Sequence, residues 1–254
     1  MIGEFFMMIE MDFPMYVVAD EDSGDVLLAA EEVEGFFVDL EEESPEVVFL
    51  RVHQVNRGRR RTEDAVLRIV NRRREKVGEY FIGRAVLGNT GIESSDGKFS
   101  SVSYRFFGNY CEYPGAAKIW RRWTSGDAVE KGEWLQWPVS YHGAWLHVVQ
   151  NAWFTSNRRA ARYGIDNVAY LDGAHISTKS GFFCALGEAV NGPGGYFGSN
   201  LDALVDCISS RSGEGSVRKI VWRDFRASQD SLNIAFLDSV LGIMRKFNVD
   251  VITC

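Results

Sequence analysis

The sequence predicts two folded parts: an α/β C-terminal domain, in which a small parallel sheet is flanked by helices, and a strand-rich α+β N-terminal domain. Three observations carry this. Beyond residue 166, short apolar runs alternate with longer runs of helical spacing, the pattern of strands joined by helical crossovers. Before residue 110, short apolar or aromatic runs are bounded by Gly and Asp, as strands joined by turns require. Between them TSNRRAARYGID, 155–166, reads as a polar linker, so the expected domains are 1–160 and 161–254. The 254 residues have room for two such cores, and no internal repeat appears.

In the N-terminal part, MYVVAD and DVLLAA flank the turn signal EDSG and predict a hairpin. EGFFVDL (34–40), EVVFLRV (46–52), EYFIGRAVLG (79–88) and SVSYRFFG (101–108) are further strand candidates. EDAVLRIVNRRR, 63–74, fits either a helix or a strand, because its apolar spacing satisfies both periods. AAKIWRRWTSG, 116–126, predicts a helix, and AWLHVVQNAWF, 144–154, an apolar segment closing the domain. Five of the seven tryptophans lie between Trp120 and Trp145, which predicts a packed aromatic core, with a partner surface as the alternative.

Charge is distributed unevenly. Fifteen acidic residues and no Lys or Arg precede Arg51, with EEES at 41–44 the densest run; Arg59–Arg61 and Arg72–Arg74 then form two basic triplets. Neighbouring acidic and basic segments of one domain can neutralise each other, and a net charge of −7 opposes nonspecific nucleic-acid binding. The opening MIGEFFMMIEMDF has no basic n-region, and no later stretch reaches the roughly 18 apolar residues of a membrane span, so a cytoplasmic location is expected. Cys111, Cys184, Cys207 and Cys254 form no CxxC pair, which suits reduced thiols.

Catalytic signals are weak. His142 and His147 are spaced too widely for a helical HExxH pair, and Cys111 has no local partner that marks a nucleophile. His53 and His175 read as satisfied surface imidazoles. The glycines at 192, 194, 195 and 198 miss GxGxxG because Phe197 occupies the last required position. No metal, no cofactor and no enzymatic activity is expected.

The C-terminal part carries the informative stretch. Residues 167–171 predict a strand and 178–190 a helix turning Phe182, Phe183, Leu186 and Val190 inward. Gly192 to Gly195 then break the chain into a tight turn that presents Tyr196 and Phe197 on a loop. Asn200 reads as an N-cap, after which Leu201, Leu204, Val205 and Ile208 make one helix face and Asp202 and Asp206 the other. Cys207 reads as a small buried filler. A strand at 219–223 follows, then a longer helix with Ile234, Leu237, Val240, Leu241, Met244 and Phe247 on its apolar face, and a strand at 249–252.

The run YFGSNLDALVDC, 196–207, resembles the inhibitory loop and helix of the barstar family, intracellular protein inhibitors of a secreted bacterial ribonuclease. VAYLDGAHISTKSGFFCALGEAV (168–190) is similar to that family's first strand and helix, and KIVWRDF (219–225) to its second strand. The resemblance covers roughly the last 90 residues. It implies an immunity-type inhibitor that mimics RNA phosphates with carboxylates and so fills a basic ribonuclease cleft. By the same resemblance Asp206 is the anchor and Asp202 its support, Tyr196 stacks near a catalytic imidazole, Gly198 and Asn200 shape the loop, and Ala203 and Val205 border the contact.

Val205 stands where the family has an aromatic, and Ile243 and Phe247 stand where it places acids on the long helix. Residues 166–254 hold ten acids and eight bases, so electrostatic steering is weak for such an inhibitor. Two other classes stay open. One is a protein-interaction module whose N-terminal domain binds a different partner. The other is an enzyme in that domain, which a cluster of Cys111, His142 and His147 would support. On their own, two aspartates four apart are also what any solvated helix face shows.

Overall fold

A computed structural model describes residues 13–39, 46–93, 98–166, 168–210 and 217–254. The EEES run and residues 1–12 therefore lie outside the described residues, as does Asn167 at the start of one expected strand. The chain divides into two compact units: residues 1–114 with 120–126, and residues 115–119 with 127–254. Residues 127–160 thus pack with the C-terminal part, while the sequence places a linker at 155–166.

The first unit is a closed six-stranded antiparallel barrel. Its strands are β1 (Tyr16–Asp20), β2 (Val26–Glu34), β3 (Val47–Val55), β4 (Arg61–Val70), β5 (Lys76–Thr90) and β6 (Phe99–Phe106), in the order β1-β2-β3-β6-β5-β4. β1 closes the ring by pairing with β2 on one side and β4 on the other, Tyr16 opposite both Ala30 and Ile69. The ambiguous segment 63–74 is therefore a strand over most of its length. Its β-branched Val66, Ile69 and Val70 suit a pleated surface, and Asn71 turns the chain by accepting from the N–H groups of Arg73 (2.9 Å) and Glu75 (3.0 Å). Of the expected strand 34–40, Glu34 ends β2 and residues 35–39 make no barrel strand; Phe37 forms an isolated bridge with Cys111, while Phe36 is buried and meets Tyr80 edge-on at 5.3 Å.

Inside the barrel, Tyr16, Phe49, Leu67, Ile82 and Tyr104 are buried, and α1 (Ala116–Thr124) contributes Trp120 to the same unit. Trp120 is fully buried, its Nε1 donating to the Tyr80 hydroxyl at 2.7 Å, so the large ring carries no unpaired donor. Among the described residues, parts of the acidic and basic segments neutralise each other. Glu31 binds Arg51 (2.5 Å) and His53 (2.6 Å), Glu32 binds Arg51 (2.7 Å) and Arg121 (2.9 Å), and Arg59 binds Asp20 (2.6 Å) and Asp25 (3.0 Å). Hydrogen bonds from Thr62 and Ser23, with the Arg59 charge, hold buried Asp20 down to about 2.

The second unit contains α2 (His142–Thr155) and a three-stranded parallel sheet of β7 (Val168–Asp172), β8 (Lys219–Arg223) and β9 (Asp250–Thr253), in that order. Its other helices are α3 (Lys179–Asn191), α4 (Leu201–Ser209), α5 (Phe225–Ser231) and α6 (Ile234–Lys246). The expected parallel sheet with helices is what this unit forms, as the first unit forms the expected strand-rich part. α3 starts where Thr178 accepts from the Gly181 N–H at 3.0 Å, and its Phe182, Phe183, Leu186 and Val190 are buried as expected. α2 packs on α3, and α3 covers β7. α6 buries Phe236, Leu237, Val240 and Met244, whereas Ile234, placed on the apolar face by spacing, opens the helix and is 64% exposed. α5 has no sequence forecast, because FRASQDS carries no apolar period.

The tryptophan-rich stretch does not form one core: Trp120 and Trp123 belong to the barrel unit, and Trp134, Trp137 and Trp145 to the second. No helix among the described residues is long and apolar enough to cross a membrane.

Candidate protein-binding face

The loop and helix at 192–209 are built by local chemistry. Gly195 N–H donates to the Gly192 carbonyl at 2.8 Å, closing the turn. Asn200 is extended (φ −152°), and its side-chain oxygen accepts from the Ala203 N–H at 2.8 Å, so the expected N-cap is formed. Gly198 has φ +96°, and a Cβ there would stand 3.0 Å from the Leu204 backbone, so conformation and space both require glycine. Leu204 and Cys207 are the side chains α4 buries; burial, reinforced by the neighbouring Asp206 charge, pushes the Cys207 thiol up to about 12, which makes it an inert filler.

On the opposite face Asp202 and Asp206 are exposed one turn apart, with Ala203 and Val205 half-buried beside them. Neither carboxylate has an ion-pair partner among the described residues. Asp202 also lies in the first turn, where the helix dipole favours its charge. Two unneutralised carboxylates on one capped helix can accept charge-assisted hydrogen bonds from Arg, Lys or His of a second molecule. On α6, Ile243 and Phe247 are half-buried and add no negative charge to this face.

The two loop aromatics differ from the sequence expectation. Tyr196 is 2% and Phe197 1% exposed. The Tyr196 ring is covered by Phe154 (centroids 5.4 Å apart) and Trp153 (6.5 Å) at the end of α2. Burial holds its phenol above the usual value, partly offset by a hydrogen bond with Ser199. Asn191 fastens this arrangement. Its side-chain oxygen accepts from the N–H groups of Tyr163 (2.6 Å) and Gly164 (3.3 Å), and its side-chain nitrogen donates to the carbonyls of Ala161 (3.1 Å) and Tyr196 (2.7 Å). The polar stretch 155–166 is consequently docked in part: 156–159 are exposed, but Ala161 and Arg162 are buried. Sequence reasoning missed Phe154, Trp153 and Asn191; the one local signal was an Asn placed just before the helix-ending Gly192.

With this geometry in place, comparison with known proteins gives one family. Residues 167–251 match the family model described as Barstar (barnase inhibitor). The C-terminal part is barstar-like. The match does not extend to residues 1–166, and no curated protein and no solved structure matches the chain. At the family level the barstar-like part has a barnase-inhibitor-like, protein-binding role, and barstars are inhibitors, not enzymes.

The residues considered for catalysis are not activated. Cys111 lies in the first unit and His142 and His147 in the second. Burial pushes the Cys111 thiol up to about 11 and the His147 imidazole down to about 4, the reverse of a thiolate and a base poised near neutrality. His142 is buried against Trp134, ring centroids 5.0 Å apart, and burial lowers it too.

Proposed function

We propose that this protein is an immunity-type inhibitor that acts in the cytoplasm by filling the active-site cleft of a basic microbial ribonuclease with Asp206 and Asp202. The observation that carries the reading is the pair of exposed, unneutralised carboxylates on α4, inside the barstar-like segment. A ribonuclease lines its cleft with cations to hold phosphates, and carboxylates on a rigid helix meet those cations without first ordering a flexible chain. Gly198 and Asn200 set the helix's starting point, Ala203 and Val205 border the contact, and Tyr196 supports the loop from beneath.

The test is calorimetric titration of the full chain with barnase, beside an RNA-cleavage assay. The parent chain should bind and inhibit. Asp206→Ala should lose about 2–5 kcal/mol of binding, because it leaves cleft cations buried and unpaired, with an unchanged melting temperature. Asp202→Ala should lose less. Equal binding by Asp206→Ala and the parent would refute the mechanism.

A further inference from the structure

The barstar-like segment buries the aromatic that its family resemblance offers to a partner, and a residue from outside the segment stands over it. Phe154, in the last turn of α2 and ahead of the matched residues, lies 5.4 Å from the Tyr196 ring, centroid to centroid, and is itself 42% exposed. Tyr196 lies in the short loop that leads into α4, the helix on which Asp202 and Asp206 are exposed. Phe154 therefore covers the loop from which the helix of the two carboxylates starts.

This placement is fixed rather than hinged. Trp153, next to Phe154, is buried and donates from Nε1 to the Arg159 carbonyl at 2.8 Å. Asn191 ties residues 161–164 to the Tyr196 carbonyl through four hydrogen bonds. Gly164 lies so close to α3 that a Cβ there would stand 2.3 Å from the Val190 carbonyl oxygen. A cover meant to swing away would not be held by buried rings and by both ends of one amide.

We propose that Phe154 is a partner-binding residue, supplying the exposed aromatic contact of the inhibitory face in place of Tyr196. The proposal rests on the inhibitor reading and takes the same occupant, the basic cleft of a ribonuclease. The complementarity is electrostatic on both sides of the patch: carboxylates accept hydrogen bonds from the cleft's cations, and the face of a phenylalanine ring attracts a guanidinium or imidazolium at the cleft rim. The interface is then composite, with its anionic half inside the barstar-like segment and its aromatic half ahead of it.

The experiment uses the full chain and barnase, with Phe154→Ala, Phe154→Lys and Asp206→Ala titrated in parallel and melted beside the parent. Phe154→Ala should weaken binding by about tenfold or more, as loss of an interfacial aromatic does. Phe154→Lys keeps an aliphatic stem over Tyr196 but brings a cation to a basic cleft, so it should bind more weakly still and associate more slowly. If Asp206→Ala loses binding while both Phe154 variants bind as the parent does, the proposal fails and the inhibitor reading stands. Tighter binding by Phe154→Ala also overturns it, by showing that α2 is a removable cover. If the parent does not bind, or if Asp206→Ala binds equally well, both readings fall together.

Discussion

Asn191→Ala tests whether the segment ahead of the barstar-like part is integral to it. The amide makes four hydrogen bonds to backbone groups, and truncation removes all of them. The groups differ in what they lose. Tyr163 is exposed and Gly164 half-buried, so their N–H groups can turn to water. Ala161 and Tyr196 are buried, and their carbonyls lose a donor with no solvent to replace it. At about 1–3 kcal/mol for each buried group left unsatisfied, the expected cost is about 2–4 kcal/mol after partial relaxation. Urea unfolding followed by tryptophan fluorescence measures the loss, and hydrogen exchange at Tyr163 and Gly164 localises it. Asn191→Asp should be no milder, because it keeps the acceptor but sets a negative charge against two carbonyl oxygens. A change below about 0.5 kcal/mol with unaltered exchange at Tyr163 would refute the clamp.

Three other perturbations probe the packing of the second unit. Leu204→Ala, on the buried face of α4, should lower stability by about 2–5 kcal/mol in thermal and urea melts, through the cavity it leaves. Trypsin should cut after Arg158 or Arg159, which are exposed, and spare buried Arg162. A released fragment from about residue 160 that stays folded by circular dichroism would support a domain boundary within 155–166; one that unfolds would count against it. His147 is held down to about 4, so the unfolded chain, with its ordinary value of 6.5, binds the proton first as pH falls. Stability should therefore be full above pH 6.5 and decline toward pH 4, and His147→Gln should flatten that slope in melts across the range.

What was legible in the sequence is what short-range chemistry decides. Asn200 caps α4 because its side chain reaches an N–H three residues on, and Asp202 and Asp206 share a face because the helix repeat places them there. The hairpin of β1 and β2 was equally local. Barrel closure was not: β1 reads as a strand from its own residues, but nothing in Tyr16 or Ile69 says that they lie opposite one another. The ambiguity of 63–74 was resolved by its neighbours, since pairing with β1 on one side and β5 on the other leaves it no freedom to coil. The exposure of Tyr196 was misjudged for a related reason. A glycine turn shows that an aromatic sits on a loop, but not that a helix ending at Thr155 folds back over it.

The two sheets also differ in how they present their edges. In the closed barrel each of the six strands has a neighbour on both sides, which leaves no row of unpaired backbone donors for another chain to extend. The parallel sheet has two strands with a neighbour on one side only, β7 and β9, five and four residues long, with Asp172 at the end of one and Asp250 at the start of the other. Short length and a terminal charge are the usual protections of such strands. Neutralising either aspartate, beside outward-facing Tyr170 or Ile252, would turn that strand into a template for intermolecular stacking, so self-association on storage or acidification should begin in the second unit rather than in the barrel.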